Sequence, residues 1–352
     1  MSTLRVNTLQ NTSTTDGGIS INNSGHVTVD GVAMPSAGPL SNRNLIINGA
    51  MQVAQRGTSA TNSNYGSVDR WRPSFNNVGI THSQQTLSSG DPYEEGFRYF
   101  YRQANTSVSS GASTYIEVFT KLESQTLAGS GWNYNSTSSY VTISFWARSS
   151  LAGTYYSLLR TADTNVKFYS KAFTLSADTW TKVTYTVPGH SDLRFDNDNG
   201  EGLRVHVIPY YGTNYTDDTV STETWFTISG TNYMPDYDQN WANTASATFD
   251  ITGVQLEVGE VATPFEHRSY GDELQRCLRY YQHYESNSTN NTYVCMGISA
   301  GSASARFAMA LVAPMRAVPS VTASGAQAED QIANAYNLSS PGINAGTMST
   351  LY

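Results

Sequence analysis

Two motifs set far apart constrain this chain more than any single residue does. The first is NLIINGAMQVAQRG with VDRW behind it, over residues 44–71. The second is FDITGVQLEVGEVATPFEHRSYGDELQRCLRYYQ, over residues 249–282. Between them apolar and polar residues alternate in short bursts, the period-2 pattern of half-buried strands. One β domain opened by the first motif and closed by the second fits that layout. Residues 1–43 and 269–352 then become attachments to it.

The alternation assigns faces. Residues 115–122 put Ile116, Val118 and Leu122 on one side and Tyr115, Glu117, Phe119 and Lys121 on the other. In residues 140–148 the apolar side is Val141, Ile143, Phe145 and Ala147, with Trp146 and Arg148 opposed. Residues 180–187 turn Val183, Tyr185 and Val187 inward and Trp180 and Lys182 outward. Residues 203–209 oppose Leu203, Val205 and Val207 to Arg204 and His206, with Tyr210 just beyond. Antiparallel sheets that alternate so cleanly have one wet face, so a mainly β sandwich is expected over residues 44–268. Composition agrees: Tyr (23) outnumbers Lys and Arg together (20), and aromatic residues suit a pleated, half-buried surface.

The ends carry less interior. GGISINNSGHVTVDG reads as a β-hairpin with about four apolar side chains, too few for a lone hairpin to stand in water. It is either an unstructured tail or a segment ordered by other chains. Pro35, Gly38 and Pro39 make a stiff linker behind it. Residues 269–285 read as the one convincing helix, with Leu274, Cys277, Leu278 and Tyr281 along one stripe. Ser269 followed by Asp272 forms a variant capping box. Strands are expected over 292–298 and 304–312, before a tail poor in large apolar residues. This C-terminal module of one helix plus strands also needs neighbours to complete it.

Several kinds of chemistry are set aside. A net charge of −8 with no basic run argues against nucleic acid, whose binding rests on clustered Lys and Arg. No stretch is long and apolar enough to insert in a membrane. Residues 1–10 lack the apolar core of a secretory signal, so Cys277 and Cys295 are expected as free thiols in a reducing cytosol. GISAG at 297–301 matches a hydrolase elbow, but strands flank it and no histidine follows His283. The six histidines show no metal spacing, and DNDNG at 196–200 puts its glycine one place early for a calcium loop. The pairs Glu94–Glu95 and Asp217–Asp218 sit in polar, loop-like stretches. No enzyme and no cofactor are expected.

The outward residues are more informative. Tyr115, Trp146, Trp180 and Tyr210 are interspersed with Glu117, Arg148, Lys182, Arg204 and His206. Rings beside charged hydrogen-bonding groups are a sugar-binding pattern: the ring covers the sugar's C–H face and the polar groups fix its hydroxyls. The same clusters also serve at protein interfaces or under loops, and both readings stand.

Both motifs, with PMRAVPSVT at 314–322, closely resemble a pattern in tail-fibre and related host-recognition proteins of bacteriophages, particularly marine and cyanobacterial ones. MSTLRVNTLQNTS resembles the anchoring segment of such fibres. The resemblance covers residues 44–321 and implies a virion component with a carbohydrate-binding-like jelly roll. It also implies a homotrimer, attached to other tail or capsid proteins through residues 1–43 and reading a host-surface polysaccharide. A capsid decoration or knob protein, a tail adaptor and a polysaccharide depolymerase are the alternatives. In jelly rolls similar to family 4 carbohydrate-binding modules an Asp on the last strand helps hold a structural calcium (Ca2+). Asp250 and the Asn48–Gly49 stretch match those places, and a hydrogen-bonded buried Asp explains Asp250 equally well.

Overall fold

The alternating segments pair as antiparallel strands in a computed structural model that describes residues 8–10, 18–38, 40–228, 230–284, 296–301, 304–308, 310–322, 327–329 and 335–337. The chain divides into two compact units, Met1–Cys277 and Leu278–Tyr352. The first begins with β1 (Thr8–Leu9), β2 (Ile19–Ile21), β3 (Val27–Val29) and β4 (Val32–Ala33). Next come β5 (Ser59–Ala60), β6 (Arg72–Asn76), β7 (Gly79–Thr86), α1 (Asp91–Glu94), β8 (Tyr99–Ser107), β9 (Tyr115–Glu123) and α2 (Ser124–Ala128). They are followed by β10 (Tyr140–Ser149), β11 (Gly153–Thr161), β12 (Phe168–Leu175), β13 (Thr181–Pro188) and β14 (Glu201–Tyr211). The unit ends with β15 (Trp225–Phe226), β16 (Thr248–Val258) and most of α3 (Tyr270–Leu278).

Two six-stranded sheets face each other as an antiparallel jelly-roll β-sandwich. The first sheet runs β13-β10-β16-β8-β7-β5 and the second β15-β12-β11-β14-β9-β6. Val141, Ile143, Phe145, Ala147, Val183, Tyr185 and Val187 from the first meet Ile116, Val118, Leu122, Leu203, Val205 and Val207 from the second in one cluster. Fully burying each such aliphatic side chain stabilises the fold by about 1.5–3 kcal/mol. The inward faces are therefore those the alternation assigns.

The N-terminal hairpin gains a strand on each side. The register sets Leu9 opposite Ile19, Ile19 opposite Val29 and Val29 opposite Val32, while Ile21 faces Val27. One side of this small sheet is thus aliphatic and the other carries Thr8, Ser20, Thr28 and Ala33. The aliphatic side is open: Leu9 is 54% and Val32 49% exposed. The stretch expected as a linker lies on the sandwich instead, because the Glu260 amide donates to Ser36 Oγ at 2.8 Å and Gly38 packs against Val258.

The helix is shorter than its sequence pattern. Ser269 caps it as expected, its Oγ accepting the Asp272 amide at 3.2 Å, but α3 stops at Leu278. The first unit runs past the boundary expected at Arg268 because Glu273 and Cys277 are buried in it. Burial pushes the Cys277 thiol far up; Cys295 lies outside the described residues.

In the second unit Gln282 follows the helix end and donates from its side-chain amide to Leu278 O at 3.1 Å. Its side-chain amide donates to Ala313 O at 2.7 Å and its Oε1 accepts the Val312 amide at 3.0 Å. The two expected strands pair as a hairpin, β17 (Met296–Gly301) with β18 (Ser304–Ala308). A further pair, β19 (Gln327–Glu329) and β20 (Ala335–Asn337), falls in the tail.

Candidate functional site

The two sequence motifs meet as a structural clasp. Asn44 Nδ2 donates to Val254 O at 3.1 Å, and its Oδ1 accepts the Ile46 and Leu256 amides at 2.9 and 3.1 Å. Arg268 donates to Ile46 O at 3.0 Å and to Asn44 O. Gly49 permits this approach, since a Cβ there would lie 2.1 Å from Val254 O. Asn48, with φ of 58°, donates its backbone N–H to Glu273 and its side-chain amide to Val53 O and Asp69 O at 2.9 and 2.8 Å. Trp71 closes the knot by donating from Nε1 to Asn48 O at 2.9 Å. These residues are spent on holding the first and last parts of the sandwich together.

On the outer face of the first sheet, Asp250 on β16 sits between Arg102 on β8 and Arg148 on β10 in a cross-strand row. Arg102 grips the carboxylate at 2.7 and 2.9 Å, and Arg148 at 3.0 and 2.8 Å. Arg148 also lies over the Trp180 and Phe100 rings, 4.6 and 5.4 Å from their centroids. The guanidinium groups stay reachable, with Arg102 30% and Arg148 25% exposed, while Asp250 is 1% exposed. Trp180 is partly buried, and its indole N–H has no hydrogen-bond partner. Trp146 is not reachable, contrary to expectation. The DPYEEGF segment folds over it, and its indole N–H donates to Glu95 at 3.0 Å. Lys182 meets the same Glu95 at 2.8 Å at the surface.

The outer face of the second sheet is divided: Lys121, Arg160 and Arg204 form a partly exposed charged row around Glu201, and the end beyond it is covered. The connection after β14 lays Tyr215, Tyr233, Met234 and Tyr237 over Tyr156, Ile208 and Tyr211, making a second apolar cluster. Beneath it Glu117 accepts from Tyr211 Oη at 2.5 Å and pairs with His206 Nδ1 at 2.7 Å. Burial pushes the Glu117 carboxyl up, but His206, Tyr211 and Arg204 together hold it below the ordinary value. Arg204 lies over the Phe119 ring at 4.4 Å and donates to Glu201 at 2.9 Å. Tyr115 packs edge-on to Tyr211 and Tyr215. Tyr210 is corrected in facing: an irregularity between Val207 and Tyr210 sets it opposite the inward Ile116, and puts Tyr211 opposite Tyr115.

The nine expected sugar-binding residues therefore do not make one site. Trp146, Arg148, Trp180 and Lys182 belong to one sheet; Tyr115, Glu117, Arg204, His206 and Tyr210 belong to the other. The expected calcium position fails for a physical reason. Asp250 is wedged between two guanidinium groups that repel a cation, and Asn48 has a different set of partners in the clasp. Among the described residues no group of three or more His, Cys, Asp and Glu is placed to hold a metal ion.

Sequence reasoning missed a cleft of about 630 Å³ at the end of the second sheet, lined by Arg160, Asn165, Lys167, Asp192, Thr227 and Phe168 among others. No period links these residues. They come from the β11–β12 hairpin, the loop before β14 and the end of β15. The nearest sequence signal is the polar hairpin turn of residues 162–167.

No protein-family model and no curated protein matches the chain. Solved structures do share its architecture. An enzymatically active domain of tailspike protein 4 from bacteriophage CBA120 aligns with 61% of this chain at 9% identity and a TM-score of 0.33. That match spans 21% of the tailspike chain. A family 11 carbohydrate-binding module from Clostridium thermocellum, in complex with a mixed-linked tetrasaccharide, aligns over 58% of this chain and 98% of its own, at 12% identity and a TM-score of 0.28. A family 61 module in complex with β-1,4-galactotriose covers 62% of this chain and 100% of its own, at 8% identity and a TM-score of 0.31.

Proposed function

We propose that this protein is a bacteriophage tail-fibre component that holds the particle to a host-surface glycan and carries out no covalent chemistry. The observation that carries the binding reading is the outer face of the first sheet. There Asp250 fixes two arginines, and Arg148 in turn lies over Trp180 and Phe100. Groups immobilised before a ligand arrives lose little freedom on binding. The part of the Trp180 ring left beside Arg148 and the exposed edges of the two guanidinium groups offer a sugar an apolar patch and donors. The carboxylate in the middle is saturated, which favours recognition over acid–base work. The virion assignment rests on the resemblance of the two motifs, whose residues converge in the clasp. The open aliphatic side of the N-terminal sheet favours assembly with other chains, in a homotrimer or on the particle.

The test is binding of the purified full-length protein to surface polysaccharide from the host bacterium. Binding without new reducing ends, weakened at least tenfold by Trp180→Ala with the fold intact by circular dichroism, is the expected result. No binding, or release of reducing ends, would overturn the reading. Three copies of the 38.4 kDa chain are expected in solution, and gold-labelled antibody should decorate the tail rather than the capsid.

A further inference from the structure

We infer that the cleft at the hairpin end of the second sheet is a separate subsite for one neutral sugar unit, engaged through two adjacent hydroxyls. It rests on the glycan-binding reading and adds a contact on the opposite sheet from Trp180. Lys167 defines its polar wall. That side chain is 14% exposed, and its ammonium is 2.9 Å from Asp192 Oδ2 and donates to Thr227 Oγ1 at 3.0 Å. An ammonium has three donors, so one remains for a ligand. Asp192 stands at the mouth, 49% exposed, and the Lys167 hydrogen bond holds its carboxyl below the ordinary value. The apolar wall is Val166, Phe168 and Ile228, with Phe168 stacked on Phe226 at 5.9 Å.

Charge selects the ligand class. Lys167 is balanced by Asp192, and Arg160 at the rim lies 3.4 Å from Glu201. A phosphate, sulfate or uronate would meet the Asp192 carboxylate, and a cation would meet Lys167 and Arg160. A neutral sugar meets no such conflict. One of its hydroxyls donates to Asp192, the neighbouring one accepts from Lys167, and its C–H face covers the apolar wall. The volume lies in the range of small-ligand sites, about 300–1,000 Å³.

The experiment is titration of the full chain with methyl glycosides of glucose, galactose and mannose, and with methyl glucuronide, followed by NMR shifts and calorimetry. At least one neutral glycoside is expected to bind. Asp192→Ala should weaken it at least tenfold, and Thr227→Trp, which fills the cleft from an exposed position, should abolish it. Preference for the glucuronide, or unchanged binding by both cleft variants, would overturn the inference. If host polysaccharide still binds and responds only to Trp180→Ala, the glycan reading stands without this subsite. If neither polysaccharide nor glycoside binds the wild type, both fall.

Discussion

The outer faces of the two sheets start from the same kind of sequence and are covered at different places. Each alternates aromatic with charged residues on the side away from the core. On the first sheet two arginines stay at the surface: Arg102 and Arg148 share Asp250, with Arg102 over Phe100 and Arg148 over Trp180. On the second, Lys121, Arg160 and Arg204 stay partly exposed around Glu201, but Glu117 and His206 lie roofed under tyrosines at 7% and 3% exposure. The difference comes from the connections. Residues 212–247 carry Tyr215, Tyr233, Met234 and Tyr237, enough apolar surface to close over a sheet. On the first sheet the DPYEEGF segment covers Trp146 and the stretch at residues 263–266 covers Gln255 and Glu257, but Arg102 and Arg148 stay uncovered. A wet face is thus decided by what the loops carry as much as by the strand itself.

The sharpest break in this comparison is Glu117→Ala. It strands His206 and Tyr211 under the roof, and removing one partner of a buried pair costs about 3–5 kcal/mol; urea unfolding should show a loss of that size. A near-neutral result would mean the tyrosine roof admits water. Acid should next separate the sheets by pH window. His82, on β7 of the first sheet, is buried with its Nδ1 2.7 Å from Ser67 Oγ, and burial lowers its pKa to about 4. The unfolded chain takes up that proton near pH 6.5, so stability is full above that value and declines as pH falls towards 4, by about 3 kcal/mol in all. Melting temperature against pH should record this decline, and His82→Gln should flatten it. A second loss begins below the ordinary carboxyl value of 4.5, as Glu117 and Glu201 of the second sheet, both held low, take up protons.

Smaller effects test the open face. Asp250→Ala should cost about 2 kcal/mol, the scale of hydrogen bonds to a charged group, because its two arginines can turn to water. A cost equal to that of Glu117→Ala would show the two faces to be equally closed. Lys182→Ala should change stability by no more than about 0.5 kcal/mol, since its bridge to Glu95 is a surface pair.

What could be read from the sequence was what a local period encodes. Alternation located Ile143, Phe145, Val205 and Val207 in the core, and Ser269 in its cap. It placed Trp146 and Glu117 on the correct side of their strands but said nothing of cover, which depends on loops remote in sequence. An irregularity in register reversed Tyr210 and left no mark in composition. The clasp residues are conspicuous for a structural reason, and the calcium place that the resemblance implies at Asn48 is taken up by its bonds to Val53 and Asp69. The Lys167–Asp192 cleft was invisible because three loops build it.

The place of β16 has a consequence for synthesis. It lies between β10 and β8, so until residues 248–258 have left the ribosome the first sheet exists only as two unjoined pieces. The second sheet meanwhile has its strands β6 to β15 in hand but nothing complete to pack on. Folding of the sandwich is therefore deferred until β16 has emerged, with apolar strand faces exposed in the interval. Expression at lowered temperature or with a holdase chaperone should raise the soluble yield, because both protect a chain that must wait for its final strand.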